Sequence, residues 1–175
     1  GVYPATFEAA HGQMIAEKMG LKTLEEPDFV LVDQMFEVLQ LAETDMTVFF
    51  RCLADVSGEG VLTDAIMPAF YTSPTDETLA AWTGWLERYL ERVSDSPGDQ
   101  RRSRMNAFNP WFVLRNYLAQ EAIEAAEQGD LSRVELLLDA ARRPYDVDPD
   151  RPELGGKRPD WARDKPGCST LSCSS

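Results

Sequence analysis

Three cysteines, a single histidine and a surplus of carboxylates are the residues in this sequence whose types could do chemistry. Cys168 and Cys173 stand in a closing segment, Gly167-Cys168-Ser169-Thr170-Leu171-Ser172-Cys173-Ser174-Ser175. Its surroundings are rich in proline and glycine, which predicts a flexible, exposed terminus where thiols are open to exchange. A disulfide ring between the two would be small. Disulfide geometry admits such rings only with strain, and a strained exposed bond is the labile kind. A zinc site would need two further ligands, and the sequence holds no second cysteine pair. Cys52 lies in an apolar helical stripe and reads as inert packing. Redox or disulfide use of Cys168 and Cys173 is therefore the better functional reading.

The other candidates thin out quickly. With His11 as the only histidine, neither a His-rich zinc site nor a Ser-His-Asp triad is readily assembled. Asp146, Asp148 and Asp150 alternate like the start of a calcium-binding loop, but Arg151 and Lys157 stand where that loop needs Gly and Glu. They read as a solvated acidic turn. No Gly-rich phosphate loop and no Gly-x-Ser-x-Gly elbow occurs. No catalytic, cofactor-binding or metal-binding residue is thus assigned within this chain.

Charge and composition narrow the partners. Seventeen basic residues face 30 acidic ones, a net charge of −13. Affinity for a nucleic-acid backbone comes mainly from neutralising phosphates, so this balance argues against DNA or RNA. The one dense basic patch, Arg101, Arg102 and Arg104, has no interleaved aromatic for base stacking and reads as a solvated helix face or turn. No apolar run approaches the roughly 20 residues of a membrane span. Three cysteines are too few and odd in number for a disulfide-stapled secreted domain, which points to a reducing compartment. The chain starts at Gly1 without a signal-peptide pattern, and it is expected to begin inside a longer protein.

The elements that must position these residues are helical nearly throughout, and the fold class is all-α: a bundle-like domain over 1–143 with a long irregular arm over 144–175. Apolar residues recur at helical spacing. Val32, Met35, Phe36 and Leu39 form one stripe; Met46, Phe49, Phe50 and Leu53 form the next, with Asp45 as its N-cap. Ser57 to Gly60 breaks that helix, and a short helix kinked at Pro68 follows over about 61–71. Trp82, Trp85, Leu86, Tyr89 and Val93 mark one face of a helix that begins near Ser73-Pro74. Ser94 to Asp99 reads as a loop. Asn109 then reads as an N-cap with Pro110 as first helical residue, and Trp111, Leu114, Leu118, Ala122 and Ala125 as the buried side, closed by Gly129. A last helix starts near Asp130 or Ser132 with Leu131, Val134, Leu137 and Leu138 inward. In the arm, Tyr145 and Trp161 are the expected anchors.

The segment from Asn109 to Gln120 sets polar groups, Arg115, Asn116 and Gln120, among large apolar ones. Buried polar groups need partners, so these read as structural pairs within a tight bundle. The alternative is that Arg115 makes an ion pair or planar contact across a domain interface.

Three segments resemble the C-terminal part of the selenoprotein O family of kinase-like protein adenylyltransferases. They are Asp45-Met46-Thr47-Val48-Phe49-Phe50-Arg51; the stretch Met105 to Ala126 with Asn109-Pro110, Val113-Leu114-Arg115-Asn116 and Leu118-Ala119-Gln120; and Arg143-Pro144-Tyr145, Pro159-Asp160-Trp161 and the terminal Cys173-Ser174-Ser175. The resemblance implies a parent in which an upstream kinase-like domain binds ATP with divalent metal, Mg2+, and moves AMP onto hydroxyls of protein substrates. None of its nucleotide or metal ligands falls in this chain, which would be inactive alone. The same resemblance implies redox control through the terminal Cys173, whose partner is either Cys168 or an upstream cysteine. A bacterial-type parent would be cytoplasmic; the alternative is mitochondrial. Two other functions compete: a stand-alone acidic interaction module, and a small thiol redox protein acting through Cys168 and Cys173.

Overall fold

The computed structural model describes residues 2–168, with side chains from residue 10 onward. Helices are the only regular elements among these residues: α1 (Val2–Met19), α2 (Asp28–Leu39), α3 (Met46–Leu53), α4 (Asp76–Arg92), α5 (Gly98–Phe108), α6 (Asn116–Glu127) and α7 (Ser132–Arg142), with 3-10 turns over Leu62–Ala69, Pro152–Gly155 and Asp160–Ala162. The fold class is all-α as the periodicity predicts. The chain forms two compact units, Gly1–Asn109 and Pro110–Ser175. The division therefore falls before Pro110 rather than at 143/144, and residues 144–168 belong with α6 and α7.

The first unit is organised by α4. Trp82, Trp85, Leu86 and Tyr89 recur at helical spacing and are all fully buried. Three of them carry polar handles, and two of these reach backbone carbonyls of other helices. The Trp85 indole donates to the Leu31 carbonyl at 2.9 Å, and the Tyr89 hydroxyl donates to the Met19 carbonyl at 2.8 Å. One helix thus fixes both α2 and the C-terminal end of α1, where carbonyls lack intrahelical partners. Trp85 stacks on Tyr89 at 5.3 Å, and Phe49 of α3 tilts against Trp82 at 5.2 Å.

Asp45 caps α3 as expected, accepting from the Val48 N–H at 3.1 Å. Its second oxygen accepts from the Tyr71 hydroxyl at 2.9 Å, and its own N–H donates to the Ala69 carbonyl. A single buried carboxylate so ties the start of α3 to the end of the 3-10 turn over Leu62–Ala69, itself the kinked short helix expected around Pro68. Asp28 plays the matching part between α2 and α4. Its carboxylate meets Arg92 twice, at 2.6 and 2.9 Å, and accepts the Glu25 N–H at 2.7 Å. Burial pushes this carboxyl up, but the Arg92 hydrogen bonds and charge together with the Glu25 N–H overcome it and hold it below its ordinary value.

The expected stripes of α2 and α3 are buried apart from one residue each. Phe36 and Met46 are exposed, and Leu31 and Val38 take the inward places on α2. Residues 100–108 form most of α5, and Arg101 there is not solvated. It is only 6% exposed, its guanidinium donates to the Val56 carbonyl, and it lies 5.6 Å from the Tyr89 ring centre. Arg104 donates to the Gly20 carbonyl, while Arg102 pairs at the surface with Asp55.

The second unit has a smaller core built from Phe112, Tyr117, Leu118, Ala122, Leu137, Leu154, Ala162 and Cys168. The proline- and glycine-rich stretch after α7 supplies three of these, Leu154, Ala162 and Cys168, so it is part of the core. Gly155 explains why. A Cβ there would lie 2.3 Å from the Trp111 indole, so only glycine lets the backbone lie flat on the ring. Gly167 is the second such point: its φ of +81° suits glycine, and a Cβ would reach 2.5 Å from the Gln120 side chain.

Candidate functional site

Asn109 is buried and hydrogen-bonded through both its side chain and its backbone. It is 1% exposed. Its amide nitrogen donates to the Lys18 carbonyl at 2.9 Å, and its amide oxygen accepts from the Lys18 ammonium at 3.2 Å. Its backbone carbonyl accepts from Arg51 at 3.1 Å, and its N–H closes α5 onto Met105. Lys18 and Arg51 therefore place cations at the C-terminal ends of α1 and α5, where helix dipoles favour them. Burial pulls the Lys18 ammonium below its ordinary value, and it does the same to Arg51 against the opposing charge of Asp55.

This geometry corrects the expected helix start. Asn109 is the C-cap of α5, with φ −104° and ψ 107°, and no helix begins at Pro110. A residue before proline is driven out of the helical region, so Asn-Pro ends a helix as readily as it opens one. Beyond it the chain runs irregularly, with the N–H groups of Trp111 and Phe112 both donating to the Pro144 carbonyl at 2.8 Å. Leu114, expected inward, is exposed.

Arg115 occupies the N-cap position of α6 and is half-buried; its carbonyl accepts from the N–H groups of Leu118 and Ala119. Asn116 is exposed as the first residue of α6. Asn109 belongs to the first unit, and Arg115, Asn116 and Trp161 belong to the second. Trp161 stands edge-on to Tyr117 at 6.0 Å, with the Lys165 ammonium 5.4 Å from its ring, yet is 49% exposed. Tyr145 is exposed as well. Leu154 and Ala162 are the deepest anchors of the irregular stretch, with Lys165 paired to Glu124 at 2.5 Å.

Cys168 overturns a further expectation. It is 5% exposed and part of the second core, not an exposed thiol. Cys52 is half-buried against the first core. Cys173 lies outside the described residues. Asp148 spends its carboxylate on the Asp150 N–H and on Arg151. Among the described residues no group of three or more His, Cys, Asp or Glu is placed to hold a metal ion, and no helix is long and apolar enough to cross a membrane. His11 is exposed on α1.

Two features were missed by sequence reasoning: the burial of Arg101, and the outward face of α7. Leu131, Val134 and Leu138 are 58, 42 and 51% exposed, and only Leu137 of the expected stripe is buried. Ile123 of α6 is exposed too.

Comparison with known proteins gives a family. The family described as "Protein adenylyltransferase SelO" matches residues 2–142. A protein of Aromatoleum aromaticum named "Protein nucleotidyltransferase YdiU" is 46% identical over 99% of this chain and 34% of its own length. Proteins of the same name from Rhodopirellula baltica and Nitrosospira multiformis are 45% and 41% identical, each over 99% of this chain and 36% of their own length. The chain thus spans about a third of the length of the curated relatives it matches.

Proposed function

Since this chain belongs to the protein adenylyltransferase SelO family, we propose that it is the C-terminal helical region of a longer cytoplasmic enzyme that moves AMP from ATP onto Ser, Thr or Tyr hydroxyls of proteins. The observation that carries this reading is the match itself: nearly the whole chain aligns, but with only about a third of each nucleotidyltransferase. In this reading a kinase-like domain upstream holds ATP and magnesium, and the present chain supplies support rather than chemistry. The exposed aliphatic stripe of Leu131, Val134 and Leu138 supports it, because aliphatic side chains repeated along one helix face are what a packing partner covers.

The test uses ATP labelled at the α-phosphate, with magnesium. The full-length parent should transfer label to protein, and this chain alone should transfer none. A parent that labels protein only from the γ-phosphate would overturn the activity, and labelling by the chain alone would overturn the division of labour. Cys173 is proposed as a redox-regulatory thiol of that parent. Alkylation with mass mapping should find it blocked under oxidising conditions; equal alkylation under oxidising and reducing conditions would remove the role.

A further inference from the structure

Helix α2 buries Leu31, Val32, Met35, Val38 and Leu39 and packs chiefly on α4. Its opposite face is apolar too. Phe29, Val30 and Phe36 are 54, 60 and 38% exposed. Phe29 and Phe36 lie about two turns apart and so stand on one side of the helix. Asp33 falls between them, about one turn from each, and Glu37 stands about two turns beyond Val30 on the adjoining edge. Single exposed apolar side chains are ordinary, whereas a row that includes two phenyl rings is the arrangement a partner covers.

The charges identify that partner. Between Lys22 and Arg51 the sequence holds no Lys or Arg, although carboxylates recur throughout the stretch. Asp28 and Asp45 are spent inside the fold, on Arg92 and on the Val48 N–H and Tyr71 hydroxyl. Asp33 and Glu37 are exposed, and their carboxylates hold no hydrogen bond or ion pair among the described residues. A carboxylate flanked by two phenyl rings draws a cation twice, through its charge and through the electronegative ring faces. An anion meets only like charge along this stripe. The exposed Val30 and the two rings also require apolar side chains beside the incoming cation.

We infer that the outward face of α2 docks a protein segment in which a lysine or arginine stands between apolar side chains, supplied by the part of the parent outside this chain. The relatives leave room for such a segment, since this chain covers 34% of one and 36% of another. The inference rests on the reading of this chain as one region of a longer enzyme. It adds a face in the first unit, aromatic and acidic, to the aliphatic stripe of α7 in the second.

The test is hydroxyl-radical oxidation of Phe29 and Phe36, read by mass spectrometry in this chain alone and in the full-length parent. Both rings should be oxidised readily in the chain and protected several-fold in the parent. Asp33→Lys, at an exposed position, should leave the melting temperature of the chain within about 3 °C of wild type. In the parent it should cancel most of the protection, whereas Asp33→Glu should keep it. Equal oxidation in chain and parent would overturn the docking. Protection untouched by Asp33→Lys would overturn the cationic segment, and protection that appears in the chain alone as its concentration rises would give the face to a second copy instead. Oxidation reads exposure and not transfer. A parent that moves no AMP but protects both rings removes the proposed activity and keeps this inference; a parent that moves AMP but leaves both rings open does the reverse.

Discussion

The two units solve the same problem in different ways. The first encloses a large aromatic core in which α4 presents four fully buried side chains and two of them hydrogen-bond to other helices. The second is shorter, gathers eight core side chains, and recruits irregular chain to do so while leaving aliphatics on α6 and α7 outside. Below roughly 70–80 residues a single core rarely supplies more than about 3–5 kcal/mol. The difference teaches that a helix of buried aromatics can organise one core, while a smaller core has to draw on irregular chain to close.

Substitutions can break or sharpen that contrast, and the largest effect belongs to α4. Trp85→Ala removes a fully buried indole and its bond to the Leu31 carbonyl, and should cost about 3–5 kcal/mol in denaturant unfolding. A loss near zero would show that the first core is not organised by α4. Asp28→Asn comes next. It leaves Arg92 without its closest carboxylate and should cost about 2–4 kcal/mol, the lower part of the range reflecting the partial exposure of Arg92.

The same pair sets a pH dependence. The folded Asp28 carboxyl is held below its ordinary value. Its stabilising contribution is therefore complete above about pH 4 and is lost as pH falls through the lower folded value. Melting measured over pH 2–6 should show wild type losing stability in that acid range and Asp28→Asn losing less; parallel curves would remove the linkage.

In the second unit, Gly155→Ala must push back the Trp111 ring and should cost about 1–3 kcal/mol. The smallest effect is expected on the outward stripe: Leu138→Ser in the isolated chain should stay within about 0.5 kcal/mol of wild type. A large loss there would mean that α7 is buried in a way the present structure does not show.

The contrast also governs what was legible in sequence. On α4 the aromatics recur at helical spacing with polar residues between them, so both the helix and its buried face could be read directly. On α7 leucines and valine surround the helix, and periodicity cannot choose which face turns inward. The run Gly98–Phe108 has almost no apolar stripe, so α5 and the burial of Arg101 left no periodic signal; the aliphatic stem of arginine is the only hint that a basic patch could pack. Asn109-Pro110 carried a signal with two meanings, since both residue types suit a helix start and the pair also suits a helix end. The irregular stretch was recognised as irregular, but composition says nothing of whether such chain packs. Cys168 and Leu154 became core because Gly155 and Gly167 allow close approach, which is a matter of tertiary fit.

We propose that the outward stripe of Leu131, Val134 and Leu138 is where the remainder of a longer protein docks. Hydroxyl-radical footprinting of Leu131, Val134 and Leu138, read by mass spectrometry in the isolated chain and in the full-length parent, tests it directly. The account predicts ready modification of all three in the isolated chain and several-fold protection in the parent; equal modification in both would contradict it.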